Sequence, residues 1–330
     1  MKKILILGGT MFVGRVVTER LKNNPQYQLT LFNRGKSNAE LFADVRQLHG
    51  NRETEDIEQI LKEDWDVIID FSGYYPITFE KLLHALKGKV KRYIFVSTIS
   101  VFDFEKLTGK NLITERDEIL ACSEAQRNSR LPDAYGEKKA EMERALLQQD
   151  WLDSIIFRPS FISGKYDWTE RFYYWVYRVK KGNKILFPSV EAVNTSITLG
   201  DDLASAIIMA IDSEKKQSVY NSISFTQHSL HDFITTTSSL LNKPVEIVGI
   251  TEEQQKENGL LHGLHQGDFP LFVGGGIAVD DTLFKKDFPV ALKDYRKDIE
   301  EIIAAAEKAG WPEPKPGLKW DREQEILAAL

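Results

Sequence analysis

Tyr135 and Lys139 stand four residues apart in Tyr135-Gly136-Glu137-Lys138-Lys139, inside a stretch, 134–147, whose pattern predicts a helix. Positions i and i+4 share a helix face, so the phenol and the ammonium can meet on one side. A phenol with a pKa of about 10 is a poor proton shuttle at neutral pH, and a neighbouring ammonium favours the phenolate. Upstream, Ser97-Thr98-Ile99-Ser100 lies where a predicted strand ends, where a hydroxyl could orient a substrate. A lone Tyr-x-x-x-Lys arises by chance in long helices, and polar residues at a strand terminus are more often caps than catalysts. In this order and together, the three features describe proton transfer at a hydroxyl or a ketone.

A hydride carrier would complete that chemistry, and the start of the chain offers a place for one. The aliphatic run Ile4–Leu7 leads into Gly8-Gly9-Thr10-Met11-Phe12-Val13-Gly14 and then into a helix over 13–21. A glycine loop between a strand and a helix presents free backbone N–H groups, which with the helix dipole favour a dinucleotide pyrophosphate. Met11 stands where a middle glycine is usual, so the loop alone reads either as a cofactor site or as a plain βα turn. The second predicted strand, 28–32, ends in Asn33-Arg34-Gly35-Lys36, with no acid between Glu19 and Glu40. An acid there would bind the adenosine ribose and repel a 2′-phosphate. Its absence predicts NADP rather than NAD, with Arg34 and Lys36 on the phosphate and Arg15 as a further candidate. The plainer alternative makes Arg34 and Lys36 solvated turn residues.

The positioning elements alternate regularly through the first half. Strand signals at 28–32, 66–71, 92–97 and 154–159, a short one near Leu48, and helical stripes at Ile57/Ile60/Leu61, 79–86 and 134–147 make six βα units. Such a succession predicts an α/β fold with a doubly wound parallel sheet of the Rossmann kind. Ligands of these sheets bind beyond the carboxyl ends of the strands. Candidates there are Asn51, Phe71-Ser72-Gly73, Ser97 and Pro159-Ser160-Phe161 for the cofactor and Tyr74 and Ser100 for the substrate, with Arg171 and Tyr174 of the second half as further substrate candidates. The expected division is a dinucleotide-binding domain over 1–160 and a smaller mixed substrate lobe over 161–330, with about 190–225 returning to the large sheet. The polar stretch 107–131 reads as a loop inserted over the ligand edge.

Bulk properties limit the partners. A net charge of −6 and a pI near 5.7 argue against a broad nucleic-acid footprint. Cys122 is the single cysteine, so no internal disulfide forms, and it has no neighbour that would make it a nucleophile. No apolar run approaches the roughly 20 residues a membrane helix needs, and the expected location is the cytoplasm. His228-x-x-His231 and His262-x-x-His265 with Asp268 have spacings compatible with a metal, but a loop or lobe surface is the favoured reading, and no metal is expected. The aromatic run Phe172–Tyr177 could stack a base or sugar, or form lobe core; core is favoured. Gly274-Gly275-Gly276 reads as a flexible turn.

Gly8-Gly9-Thr10-x-Phe12-Val13-Gly14, Phe95-Val96-Ser97-Thr98-x-Ser100-Val101-Phe102, Tyr135-x-x-x-Lys139, Arg158-Pro159, Asp201-Asp202-Leu203-Ala204 and Tyr220-Asn221 together resemble the extended short-chain dehydrogenase/reductases, in their NAD-dependent epimerase/dehydratase branch. The resemblance implies a Rossmann domain with a C-terminal substrate lobe, usually for nucleotide sugars. It also implies roles: Tyr135 as general acid/base, Lys139 holding the nicotinamide ribose and tuning Tyr135, and Thr98, aligned through Val101-Phe102, positioning the substrate oxygen. The cofactor supplies the hydride. Departures are Met11, Phe102-Asp103 for Tyr-Gly, Asn51 for an aspartate near the adenine, and Gly200-Asp201-Asp202. These features are closer to bacterial isoflavone-reductase-like proteins, which are related to chloroplast stem-loop RNA-binding proteins. A non-catalytic dinucleotide sensor and an RNA-binding protein are the rival readings. A homodimer through helices 79–86 and 134–147, as in many relatives, is a further expectation.

Overall fold

Ile4, Leu5, Ile6 and Leu7 are all buried, as required of a strand covered on both faces. In the computed structural model, which describes all residues except 108, 190, 262–266 and 273–275, they belong to β1 (Lys2–Leu7) of a seven-stranded sheet. Its order is β10-β6-β5-β4-β1-β2-β3, with β2 Tyr27–Asn33, β3 Arg46–His49, β4 Trp65–Asp70, β5 Val90–Val96, β6 Asp153–Arg158 and β10 Ser218–Asn221. All pairs are parallel. The strand order reverses between β1 and β4, which opens a crevice at their carboxyl ends. Gly8 leaves β1 there and Phe71-Ser72-Gly73 leaves β4.

Helix α1 (Phe12–Leu21) packs against α6 (Gly200–Ile211), and α2 (Pro76–Ala85) against α4 (Tyr135–Leu147). The stripe Phe79, Leu82, Leu83 and Leu86 joins Met142 and Leu146 over Ile68, Tyr93 and Phe95 of the sheet. This first unit comprises 1–160, 200–223 and 279–291. It therefore takes in α9 (Thr282–Asp287), whose Phe284, with Phe288, packs on Phe157. The stretch 190–199 lies in the second unit.

Two local readings differ. Ile57, Ile60 and Leu61 sit on a 3-10 helix, Glu55–Lys62, capped by the Thr54 hydroxyl. The stretch 107–131 is not simply a loop over the strand ends. Its later part forms α3 (Glu124–Asn128), closed by a Ser123/Gln126 capping box and packed on α2 and α4. Arg127 there pairs with Glu80. None of the residues of α3 is buried, so it carries no apolar periodicity by which the sequence could have announced it.

The second unit comprises 161–199, 224–278 and 292–330. β7 (Phe161–Ser163), β9 (Asn194–Leu199) and β11 (Phe225–Ser229) form one small sheet, and β8 (Lys184–Phe187) pairs with β12 (Glu246–Gly249). Helices α5 (Arg171–Lys181), α7 (Leu230–Leu240), α8 (Glu252–Glu257), α10 (Tyr295–Lys308) and α11 (Trp320–Ala329) complete it. The aromatic run is its core: Phe172, Tyr174, Trp175 and Val176 are buried with Phe187, Phe233 and Ile299. Arg178 and Glu323 pair inside it at 2.8 Å.

Candidate functional site

The glycine loop after β1 uses its glycines where backbone comes close. Gly8 has φ +90°, a Cβ on Gly9 would lie 2.8 Å from Leu31, and one on Gly14 would lie 2.2 Å from the Gly8 carbonyl oxygen. Thr18 Oγ1 donates at 2.9 Å to the Gly9 and Gly14 carbonyls, tying α1 to the loop. Met11 has extended backbone, φ −128°, which any residue adopts. The missing middle glycine therefore imposes no backbone strain at that position, and the left-handed conformation falls on Phe12 at φ +43°.

A turn from the end of β2 is strapped over this loop. Asn33 Oδ1 accepts from the Gly9 N–H at 3.0 Å, Thr10 Oγ1 donates to the Ser37 carbonyl at 3.1 Å, and Asn38 Nδ2 donates to the Thr10 carbonyl at 2.8 Å. Asn33 Nδ2 is buried without a partner among the described residues, while Arg34 and Lys36 are exposed beside it. Arg15 Nε donates along α1 to Glu19 Oε1 at 2.9 Å. Asn51 is exposed and organises its own turn, accepting from the Glu53 N–H at 3.1 Å.

Sequence reasoning missed a charge pair beside this loop. Arg52 Nη1 donates to Asp70 Oδ1 at 2.7 Å and to Ser72 Oγ at 3.1 Å, while the Tyr93 hydroxyl donates to Asp70 Oδ2 at 2.6 Å. Asp70 is fully buried. Burial alone would raise its pKa, but the Arg52 charge and hydrogen bonds outweigh that and hold it below the usual carboxylate range. The available signal was an acid directly after the aliphatic run Val67-Ile68-Ile69.

Beyond β5 stand the residues expected from the sequence to do acid/base work. Lys139 is buried, and its Nζ donates to the Val96 carbonyl at 2.9 Å. Three rings surround the ammonium: Phe95 at 4.5 Å, Tyr74 at 5.3 Å and Tyr135 at 5.9 Å. Burial, aided by the Arg52 charge and opposed by Asp70 and Glu143, lowers its pKa to about 8. Tyr135 opens α4 and is half-buried; its ring lies 6.4 Å from that of Tyr74, which is 47% exposed. Gly136 lets α4 approach the turn after Thr98, since a Cβ there would sit 2.1 Å from the Ser100 carbonyl oxygen. Thr98 Oγ1 both accepts from the Ser100 N–H and donates to Ser100 Oγ, each at 3.1 Å. Ser97 Oγ is buried without a partner among the described residues. A Cβ on Gly73 would press on Phe95, and the Pro159 carbonyl accepts from the Ile99 N–H at 2.9 Å; Ser160 follows it at the surface margin of the first unit.

The remaining candidates belong to the second unit. Phe161 is core of that unit. Tyr174 is 1% exposed, stacked against Trp175 at 5.0 Å and against Arg178 at 4.9 Å. It packs inside the core of that unit. Arg171 stays half-buried at the surface, 5.7 Å from the Phe161 ring. The His228 ring lies 3.9 Å from Tyr295 and His231 4.2 Å from Phe187, and burial lowers both pKa values. His262, His265, Gly274 and Gly275 lie outside the described residues. Among the described residues, no helix is long and apolar enough to cross a membrane.

The model of the NAD dependent epimerase/dehydratase family matches residues 4–222. Among curated proteins, the chloroplast stem-loop binding protein of 41 kDa b from Arabidopsis thaliana is 28% identical over 229 residues; the match covers 65% of this chain and 56% of that protein's length. UDP-glucuronic acid 4-epimerase from Bacillus cereus, solved with NAD, superposes with a TM-score of 0.70 at 15% identity, covering 94% of this chain and 100% of that one. dTDP-glucose 4,6-dehydratase from Bacillus anthracis, also with NAD, gives 0.72 at 19% identity, covering 95% and 99%. At these identities the likeness establishes a shared fold.

Proposed function

The chain belongs to the NAD dependent epimerase/dehydratase family, and from that premise we propose that it is an oxidoreductase or epimerase/dehydratase acting on a hydroxyl or ketone of a small polar substrate, a nucleotide sugar by class. The observation that carries the reading is Lys139: an ammonium buried among three rings, one of them Tyr135. Such a site is costly for packing alone and useful for poising a phenol. Tyr135 moves the proton on the substrate oxygen, Lys139 as ammonium favours the phenolate, and Thr98 orients that oxygen. The nicotinamide supplies the hydride when bound.

The residues fit a dinucleotide. Gly8, Gly9 and Gly14 make the cradle, and Asn33 Nδ2 and Ser97 Oγ are buried polar atoms still lacking partners among the described residues. An amide donor with Arg34 and Lys36 at the end of β2, and no carboxylate, supports NADP over NAD. The solved neighbours carry NAD, so this preference rests on the chain's own residues.

The test compares wild-type protein with Tyr135→Phe. NADPH titrated by fluorescence binds both alike and more tightly than NADH, while hydride transfer across a nucleotide-sugar panel is lost in the variant. Full turnover by Tyr135→Phe refutes the assigned roles, and tighter NADH binding refutes the cofactor preference.

A further inference from the structure

Lys138 is 2% exposed, and the proton-transfer chemistry above gives it no part. A lysine is almost never fully buried unless it is paired, and a cation in the first turn of a helix faces the positive end of its dipole. Lys138, the fourth residue of α4, carries both penalties. Its Nζ donates to the Leu131 carbonyl and to Asp133 Oδ1, each at 2.7 Å, and lies 5.7 Å from the centre of the Tyr75 ring. The ammonium thus reaches back from α4 to grip the chain that leads into it.

That entry needs holding. Ala134, at the N-cap of α4, has φ +47°, and left-handed backbone at a residue with a Cβ persists only where its surroundings over-determine it. No side-chain cap closes this helix end, although the first N–H groups of a helix have no partner within it. Tyr135 follows Ala134 directly, so a relaxation there moves the phenol first. Two adjacent lysines of α4 face two adjacent tyrosines of the segment between β4 and α2: Lys138 lies over Tyr75, and Lys139 lies 5.3 Å from the Tyr74 ring and 5.9 Å from that of Tyr135. Lys139 therefore stands at the chemistry, while Lys138 holds the chain that delivers Tyr135 to it.

We propose that Lys138 is a positioning residue for Tyr135: by locking residues 131–133 it fixes the left-handed entry at Ala134, and with it the place of the phenol beside Lys139. The inference rests on the acid/base role proposed for Tyr135. The test uses the full chain as wild type, Lys138→Met, Asp133→Ala and the double variant. It reads kcat and KM for hydride transfer on a panel of UDP- and dTDP-linked sugars, NADPH affinity, and amide hydrogen exchange of residues 131–137 by mass spectrometry. Lys138→Met should lower kcat about a hundredfold, the cost of misplacing a reacting group by about 1 Å. KM and NADPH affinity should stay within about threefold, and exchange at 131–137 should quicken. The Asp133 side chain is 60% exposed, so Asp133→Ala keeps the test open should Lys138→Met fail to fold. It removes one of the two anchors and should lower kcat about tenfold. The double variant should be no slower than Lys138→Met, because both changes break the same clamp. A kcat within about threefold of wild type in both single variants, a loss carried by KM alone, or unchanged exchange at 131–137 overturns the inference. Full turnover by Tyr135→Phe, or none by wild type, instead marks failure of the acid/base reading and removes the inference with it.

Discussion

Replacing Lys139 by methionine should change how stability depends on pH, because the buried ammonium is costly to keep. Its pKa falls from 10.5 to about 8 on folding, chiefly through burial. A difference of that size corresponds to about 3 kcal/mol. Between pH 8 and 10.5 the unfolded chain holds this proton and the folded chain has lost it, so stability rises with pH across that window and the full penalty is present below it. Methionine fills similar volume without a charge, so its contribution is flat. The variant also leaves the Val96 carbonyl without its 2.9 Å donor, a cost of about 1–3 kcal/mol that is independent of pH. The informative quantity is therefore the difference in slope, which cancels other titrating groups. Urea unfolding of both cofactor-free proteins from pH 7 to 10.5 should show wild type gaining about 3 kcal/mol on the variant as pH rises. Parallel curves would refute the buried-ammonium argument, and with it the poising of Tyr135.

Two further substitutions probe the frame around these residues. Gly136→Ala places a Cβ 2.1 Å from the Ser100 carbonyl oxygen, which must push α4 away. It should lower stability by about 1–3 kcal/mol and turnover by about a hundredfold, with NADPH affinity little changed; unchanged turnover would show that the approach of α4 to the Thr98 turn is immaterial. Glu143→Ala leaves Arg158 buried without the carboxylate that its Nε contacts at 3.0 Å. The expected loss is about 3–5 kcal/mol, read from the urea midpoint, and a shift under about 1 kcal/mol would refute the pair's importance.

The sequence by itself determined the large sheet. Ile4–Leu7, Val67–Ile69, Ile94–Val96 and Ile155–Phe157 are continuous apolar runs because both sheet faces are covered, and a pattern that local and strong survives without knowledge of its neighbours. It also determined Gly8, Gly14, Tyr135 and Lys139 as candidates, since loop chemistry and i, i+4 spacing are properties of short segments. Tertiary structure alone decided what depends on distant partners. Arg52, just after β3, and Asp70, at the end of β4, are 18 positions apart and at strands separated by β1 and β2, so only the folded chain brings them together. Tyr174 and Trp168, six residues apart, part company because one lies in the second unit's core and the other stands on a loop. Composition gives both a similar hydrophobic rank; burial, a property of the packed chain, makes the first a core residue and leaves the second in water.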